Sequence, residues 1–139
     1  MRPDPRTEGR RWLDQALRDL DDARYAAAGA RHNLACFLCQ QAAEKALKGF
    51  LVLRDQEAPW GHSVADLCDR ASALDPSYGG LRAHGASLDL FYIPTRYPNG
   101  LPGGLPADAF SAEDSERAVV RAQEIIGAVE RSFEGTAGP

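Results

Sequence analysis

Gln40-Gln41-Ala42-Ala43-Glu44-Lys45-Ala46-Leu47-Lys48-Gly49 lies inside an apolar run from Leu34 to Leu53 that holds no proline and no glycine other than Gly49. Alanine, leucine, glutamine, glutamate and lysine are good helix formers, so the stretch reads as helix. At about 100° per residue, Ala35, Cys39, Ala42, Ala46, Phe50 and Leu53 fall on one side, widened by Cys36, Ala43 and Leu47. That side belongs in a core. Gln41, Glu44, Lys45 and Lys48 gather into a polar strip on the other side, and its two lysines are the only ones in a chain that otherwise uses arginine. A helix buried over most of its circumference is the centre of a bundle, and the strip faces something specific.

The neighbouring segments fit that arrangement. From near Arg10 to about Ala30, Trp12, Leu13, Ala16, Leu17, Leu20, Ala23 and Ala27 recur at helical spacing, with Asp14, Arg18, Asp21 and Asp22 opposite. A short turn over Gly29 to Asn33 sends the central helix back antiparallel. After a loop with Pro59 and Gly61, Ser63-Val64-Ala65-Asp66 has the form of a capping box and opens a short helix to about Leu74. Asp75-Pro76 offers another helix start, and a helix over about Leu81 to Tyr92 packs through Leu81, Leu88, Phe91 and Tyr92. Pro94, Pro98, Pro102 and Pro106, with Gly100, Gly103 and Gly104, impose a long surface loop from Ile93 to Phe110. Ser111-Ala112-Glu113-Asp114 is a second capping-box start for a last helix to about Phe133, with Ala118, Ala122, Ile125, Ile126, Val129 and Phe133 inward. No alternating strand pattern occurs. The expected fold is all-α, an antiparallel up-and-down bundle of four main helices plus one short helix. Residues 1–10 read as a flexible N-terminus, 11–133 as one helical domain and 134–139 as a flexible tail.

The totals bound the function. The 139 residues suffice for one core without disulfides or a metal. A net charge of −4 supplies no global positive field for nucleic acid or an anionic membrane, so any phosphate contact must be local. No run approaches a membrane span and the first residues lack a signal peptide's apolar core, which reads as a cytoplasmic protein. Three cysteines argue against a secreted disulfide framework. Cys36 and Cys39 sit within a helix, without the strand a redox C-x-x-C needs. A zinc site from His32, Cys36, Cys39 and either Cys68 or His62 competes with plain core packing, the favoured reading. No metal or cofactor is expected.

Four pieces in order resemble the HEPN family, an all-helical domain that often accompanies a minimal nucleotidyltransferase. They are Ala16-x-x-Asp19-Leu20, Gln40 to Lys48, His62-Ser63-Val64-x-x-Leu67, and Tyr92-Ile93-Pro94-Thr95-Arg96-Tyr97-Pro98. The resemblance covers about Arg11 to Arg131. It implies a homodimer or a complex with a separate nucleotidyltransferase subunit, and a groove for a nucleotide, ATP or GTP, or for RNA. Many members are metal-independent ribonucleases with an arginine followed four to six residues later by histidine. This chain departs from that pattern, because no histidine occurs after His84.

Arg96 is the first candidate site residue, since a guanidinium fork suits phosphate, with Tyr97 beside it to stack on a base or ribose. An anchoring pair with Glu44 or an acid of the last helix is the equally weighted structural reading. Lys45, Lys48 and Gln41 would complete a phosphate site, against the favoured alternative of a Glu44–Lys48 pair at i, i+4 with Lys45 solvated. His62 and His84 are weak stand-ins for the missing catalytic histidine, each more simply structural. The resulting expectation is a HEPN-type phosphate-binding, accessory or toxin–antitoxin-type subunit with a nucleotidyltransferase partner. A divergent HEPN ribonuclease and a purely structural dimeric module are the alternatives, and the balance leans away from an enzyme.

Overall fold

The computed structural model describes residues 4–135, which form six helices and no strand. The long ones are α1 (Pro5–Ala28), α2 (His32–Leu53) and α6 (Ala112–Gly135), and the shorter ones α3 (Val64–Leu74), α4 (Arg82–Asp89) and the single turn α5 (Pro106–Ala109). The all-α bundle expected from the sequence is what forms.

Helix α1 begins earlier than the apolar stripe suggests. Asp4 caps it by accepting from the Thr7 amide at 2.9 Å, and Pro5 occupies the first helical position, where its missing N–H costs nothing. Residues 5–10 are therefore helical rather than a flexible N-terminus, and Gly9 is buried against α2. Residues 1–3 lie outside the described residues, as does the expected flexible tail beyond Gly135, while Glu134 and Gly135 belong to the last turn of α6. Gly29, Ala30 and Arg31 make the turn into α2, with Ala30 at φ 59.

Helix α2 is the axis. Ala35, Cys36, Cys39, Ala42, Ala43, Ala46, Leu47, Phe50 and Leu51 are buried, together with Gln40, Glu44 and Lys48 from the polar side. The first two thirds of its core face is alanine and cysteine, so neighbouring helices approach closely. Bulk returns at Phe50, which stacks on Tyr78 with ring centroids 4.3 Å apart, a pairing that adds about 1 kcal/mol to the area it buries. The start of α1 meets the end of α2 through Gly9 and Gly49, so these two helices are antiparallel. Helix α6 is antiparallel to α1, with Arg6 Nη1 donating to the Phe133 carbonyl at 3.0 Å. It runs with α2, since His32 Nδ1 and Ser115 Oγ lie 3.0 Å apart at the two helix starts. The long connection after α4 makes that return possible.

Both capping-box starts are used, differently. At α6 the box is reciprocal: Ser111 Oγ accepts from the Asp114 amide and Asp114 Oδ2 accepts from the Ser111 amide at 2.8 Å. At α3, Ser63 accepts from the Asp66 amide at 3.2 Å, but the carboxylate engaging this helix start is Asp89 of α4. Its oxygens accept from the Val64 and Ala65 amides at 2.8 and 3.1 Å and from Ser63 Oγ at 2.9 Å. A distant acid thus satisfies donors that the local acid leaves to solvent. Close packing goes with it: a Cβ at Gly85 would sit 3.0 Å from the Val64 and Ala65 backbone.

Helix α4 stops at Asp89, three residues short of the expected end, and residues 90–96 continue as turns. The segment after it is not a bare loop. It holds a 3-10 turn over Pro98–Gly100 and then α5, and Thr95 and Pro106 are buried. Thr95 Oγ1 donates back to the Phe91 carbonyl, and Asn33 Nδ2 donates to the Thr95 carbonyl at 3.1 Å. The turn that carries Arg96 is thereby fastened to the first turn of α2.

Candidate functional site

Arg96 lies at the end of that turn, half-buried. Its Nε donates to the Tyr92 carbonyl at 2.8 Å, a bond that closes the turn and fixes the plane of the guanidinium. The guanidinium carbon lies 4.4 Å from the Phe37 ring centroid, 4.5 Å from Tyr92 and 5.0 Å from Tyr97. Three ring faces hold the cation without neutralising it. Among the described residues no carboxylate lies within ion-pair distance, and neither terminal nitrogen of the fork has a protein acceptor. The anchoring ion pair with Glu44 or an acid of α6 is not formed. Tyr97, about half exposed, is part of the cradle.

The other face of this neighbourhood is a buried polar cluster on α2. Glu44, 5% exposed at its side chain, accepts from Lys48 Nζ at 3.1 Å and lies 3.0 Å from His62 Nδ1. An ionised carboxylate only accepts, so Nδ1 carries the proton and Nε2 of a neutral His62 keeps its lone pair. Gln41 Nε2 donates to Gln40 Oε1 at 2.8 Å and more weakly to Glu44 at 3.4 Å. Lys48 also donates to the Gly61 carbonyl at 3.0 Å, and Gln40 to the His62 carbonyl at 2.7 Å. Glu44 and Lys48 of the polar strip, with Gln40, thus clasp the loop before α3.

His62 and Arg96 meet through one ring. The imidazole stacks on Tyr92 with centroids 4.8 Å apart and planes 20° from parallel, and the Arg96 guanidinium lies over the same phenol. The His62 side chain is 53% exposed, with Nε2 free of protein partners among the described residues. Chemically this is an oriented base beside an unneutralised cation, on an aromatic surface.

The two lysines do not converge on the arginine. Lys45 turns toward α1 and bonds Asp19 Oδ2 at 2.5 Å, while Gln15 Nε2 holds the other oxygen at 2.9 Å. Lys48 is the i, i+4 partner of Glu44. Each ammonium is neutralised by a buried carboxylate, because α2 is enclosed on its polar side too. Tyr92, Phe37, Glu44 and Gln40 contribute to this neighbourhood instead. Of these, Gln40 and Glu44 carried a signal, as polar residues inside an apolar run; the contacts of Phe37 and Tyr92 are tertiary and carry none.

His84 is half-buried on α4 and is no part of this group. Cys36, Cys39 and Cys68 are buried, and burial pushes each thiol up to about 12. Their side chains pack in the core, where burial disfavours the thiolate. Among the described residues no three His, Cys, Asp or Glu side chains gather to hold a metal, and no helix is long and apolar enough to cross a membrane.

The HEPN domain model matches residues 10–132. Among solved structures, TT1696 from Thermus thermophilus superposes with a TM-score of 0.79 at 38% identity, covering 88% of this chain and 96% of that one. ST0689, an archaeal HEPN homologue, gives 0.75 at 35% identity over 90% and 97% of the two chains. A HEPN domain protein of Thermotoga maritima, TM0613, gives 0.72 at 32% identity over 89% and 98%. No curated protein matches the chain. With the four motifs on their expected helices and turns, and with matches spanning nearly the whole length, the chain belongs to the HEPN domain family.

Proposed function

We propose that this chain is a HEPN-type binding subunit that holds a phosphate of a nucleotide or RNA at Arg96 and works, as a homodimer, with a nucleotidyltransferase partner in an accessory or toxin–antitoxin pair. One observation carries the reading: a guanidinium fixed in an aromatic cradle, with its terminal nitrogens free and no carboxylate against it. A structural arginine normally finds an acid or a set of carbonyls, whereas a preorganised, unneutralised fork suits phosphate. Tyr97 offers a flank for a base or ribose. Lys45 and Lys48, already paired, hold the scaffold. Leu90, Ile93 and Tyr97 are exposed on the same turn, an apolar surface that suits a partner subunit.

Calorimetric titration of ATP and GTP into the wild type and Arg96→Ala, at low and physiological salt, tests the site. The expected result is wild-type binding that weakens with salt and a loss of at least about tenfold, about 1.4 kcal/mol, in the variant. Absence of heat with either nucleotide, in protein that stays folded, would instead favour a protein-interaction module.

A second reading is metal-independent RNA cleavage with His62 as the base. The Glu44–His62 bond and the shared Tyr92 ring favour it. Nε2 would take the ribose 2′-hydroxyl proton as the 2′-oxygen attacks phosphorus. The bond to the 5′-oxygen breaks, that oxygen takes up a proton from solvent water, and Arg96 offsets the charge on the phosphoryl oxygens. The expected result is chelator-insensitive cleavage leaving 2′,3′-cyclic ends, reduced at least about 100-fold in His62→Gln. Wild-type protein that binds RNA and leaves it intact sinks this second reading and keeps the first.

A further inference from the structure

Trp60 is the one large aromatic of the described residues left wholly in solvent, at 101% exposure, with no ring or hydrogen-bond partner there. An indole exposes a large apolar surface, and a domain that buries Leu13, Phe50, Tyr78 and Phe133 almost completely has no folding use for it. Nor is it on a loose loop. Pro59 before it fixes the backbone, Gly61 after it turns at φ 103, and the Gly61 and His62 carbonyls are clasped by the buried side chains of Lys48 and Gln40. The indole therefore projects from a braced corner.

That corner ends at His62, whose ring stacks on Tyr92 beside Arg96. We infer that Trp60 is a stacking platform for a base of single-stranded RNA whose phosphate lies at Arg96. This rests on the phosphate reading above and extends it from a phosphate site to a base-plus-phosphate site. Aromatic faces interleaved with cations are how single strands are held without sequence readout. The carboxylate of Glu57, exposed three residues before Trp60, disfavours a phosphate close to the indole and favours an uncharged base there. The exposed neighbours Gln56, Glu57, Gly61 and His62 are polar or small, so the indole stands alone there, which suits a single base better than an apolar protein interface.

The chain has two tryptophans, so Trp12→Phe leaves Trp60 as the sole indole reporter. Its emission is followed during titration with a short single-stranded oligoribonucleotide and, separately, with inorganic pyrophosphate. The expected result is a change with the oligonucleotide only. Trp60→Ala, whose side chain contacts nothing in the fold, should weaken oligonucleotide binding at least about fivefold and leave pyrophosphate affinity unchanged, while Arg96→Ala weakens both. Oligonucleotide binding with unaltered Trp60 emission and unaltered affinity in Trp60→Ala overturns the proposal, as does no oligonucleotide binding by the wild type. A Trp60→Ala change in sedimentation without a change in RNA affinity also overturns it, by making Trp60 a protein contact. Oligonucleotide binding that needs Trp60 but not Arg96 would leave the platform standing and sink the phosphate site.

Discussion

Glu44→Ala is expected to destabilise the domain by about 3–5 kcal/mol, enough to threaten folding in a domain whose total stability is of order 10 kcal/mol. Glu44 and Lys48 are both nearly enclosed, at 5% and 8% side-chain exposure. Removing the carboxylate leaves the ammonium with the Gly61 carbonyl and the Trp12 ring face but no counter-charge, and an uncompensated buried charge costs far more than a lost surface pair. The change also frees His62 Nδ1, so the loop before α3 keeps only the Gln40 and Lys48 bonds to α2. Urea denaturation followed by circular dichroism gives the value, with an unchanged slope indicating that only stability has moved. The double variant Glu44→Leu with Lys48→Met supplies the control. An apolar replacement of a buried pair is often neutral, so the double should recover most of the loss. A double as unstable as the single would show that the damage comes from packing or from the His62 loop, not from a stranded charge.

That cluster also marks where sequence reading stopped. Helical spacing located α1, α2 and α6 because each buries a continuous apolar stripe, and the Ser63 and Ser111 starts were legible because a cap is a local pattern. The Glu44–Lys48 pair was also legible, being an i, i+4 relation. The His62–Glu44 bond, the Tyr92 ring between His62 and Arg96, and the Asp89 carboxylate on the α3 start are contacts between distant segments. No periodicity encodes them. Asp19 shows the same limit from the other side. It sits next to Leu20, at the edge of the apolar stripe of α1, and is buried because Lys45 and Gln15 meet it there. Arg96 was identifiable as a candidate from its residue type and motif. Only the fold reveals that aromatic rings, and not an acid, surround it.

Gly9 and Gly49 carry the second large effect, and neither a propensity scale nor a hydrophobic stripe reports it. A Cβ at Gly49 would lie 2.9 Å from the Gly9 carbonyl oxygen and 3.0 Å from Trp12 Cβ, and one at Gly9 would lie 2.8 Å from the Gly49 carbonyl oxygen. The obstacle on each side is backbone, which cannot rotate away. Any side chain here pushes α1 from α2 along the seam that Leu13, Ala16, Leu20, Ala46 and Leu47 fill. Gly49→Ala gains about 1 kcal/mol of helix propensity yet separates the two most extensively packed helices, and overpacking of this kind costs about 1–3 kcal/mol before the loosened seam is counted. A net loss of about 2 kcal/mol is expected, rising to about 4 kcal/mol for Gly49→Val, where a branched side chain adds to the clash and gives up the propensity gain. Gly127 on α6 is the contrasting test. A Cβ there meets only the movable Arg131 guanidinium at 3.3 Å, so Gly127→Ala should stabilise by about 0.5–1 kcal/mol. Opposite signs for the same substitution in two helices would establish that backbone contact, not helix propensity, governs position 49. A stabilising Gly49→Ala would mean that α1 and α2 can part without loss, and that the α1–α2 seam is not where this bundle is held.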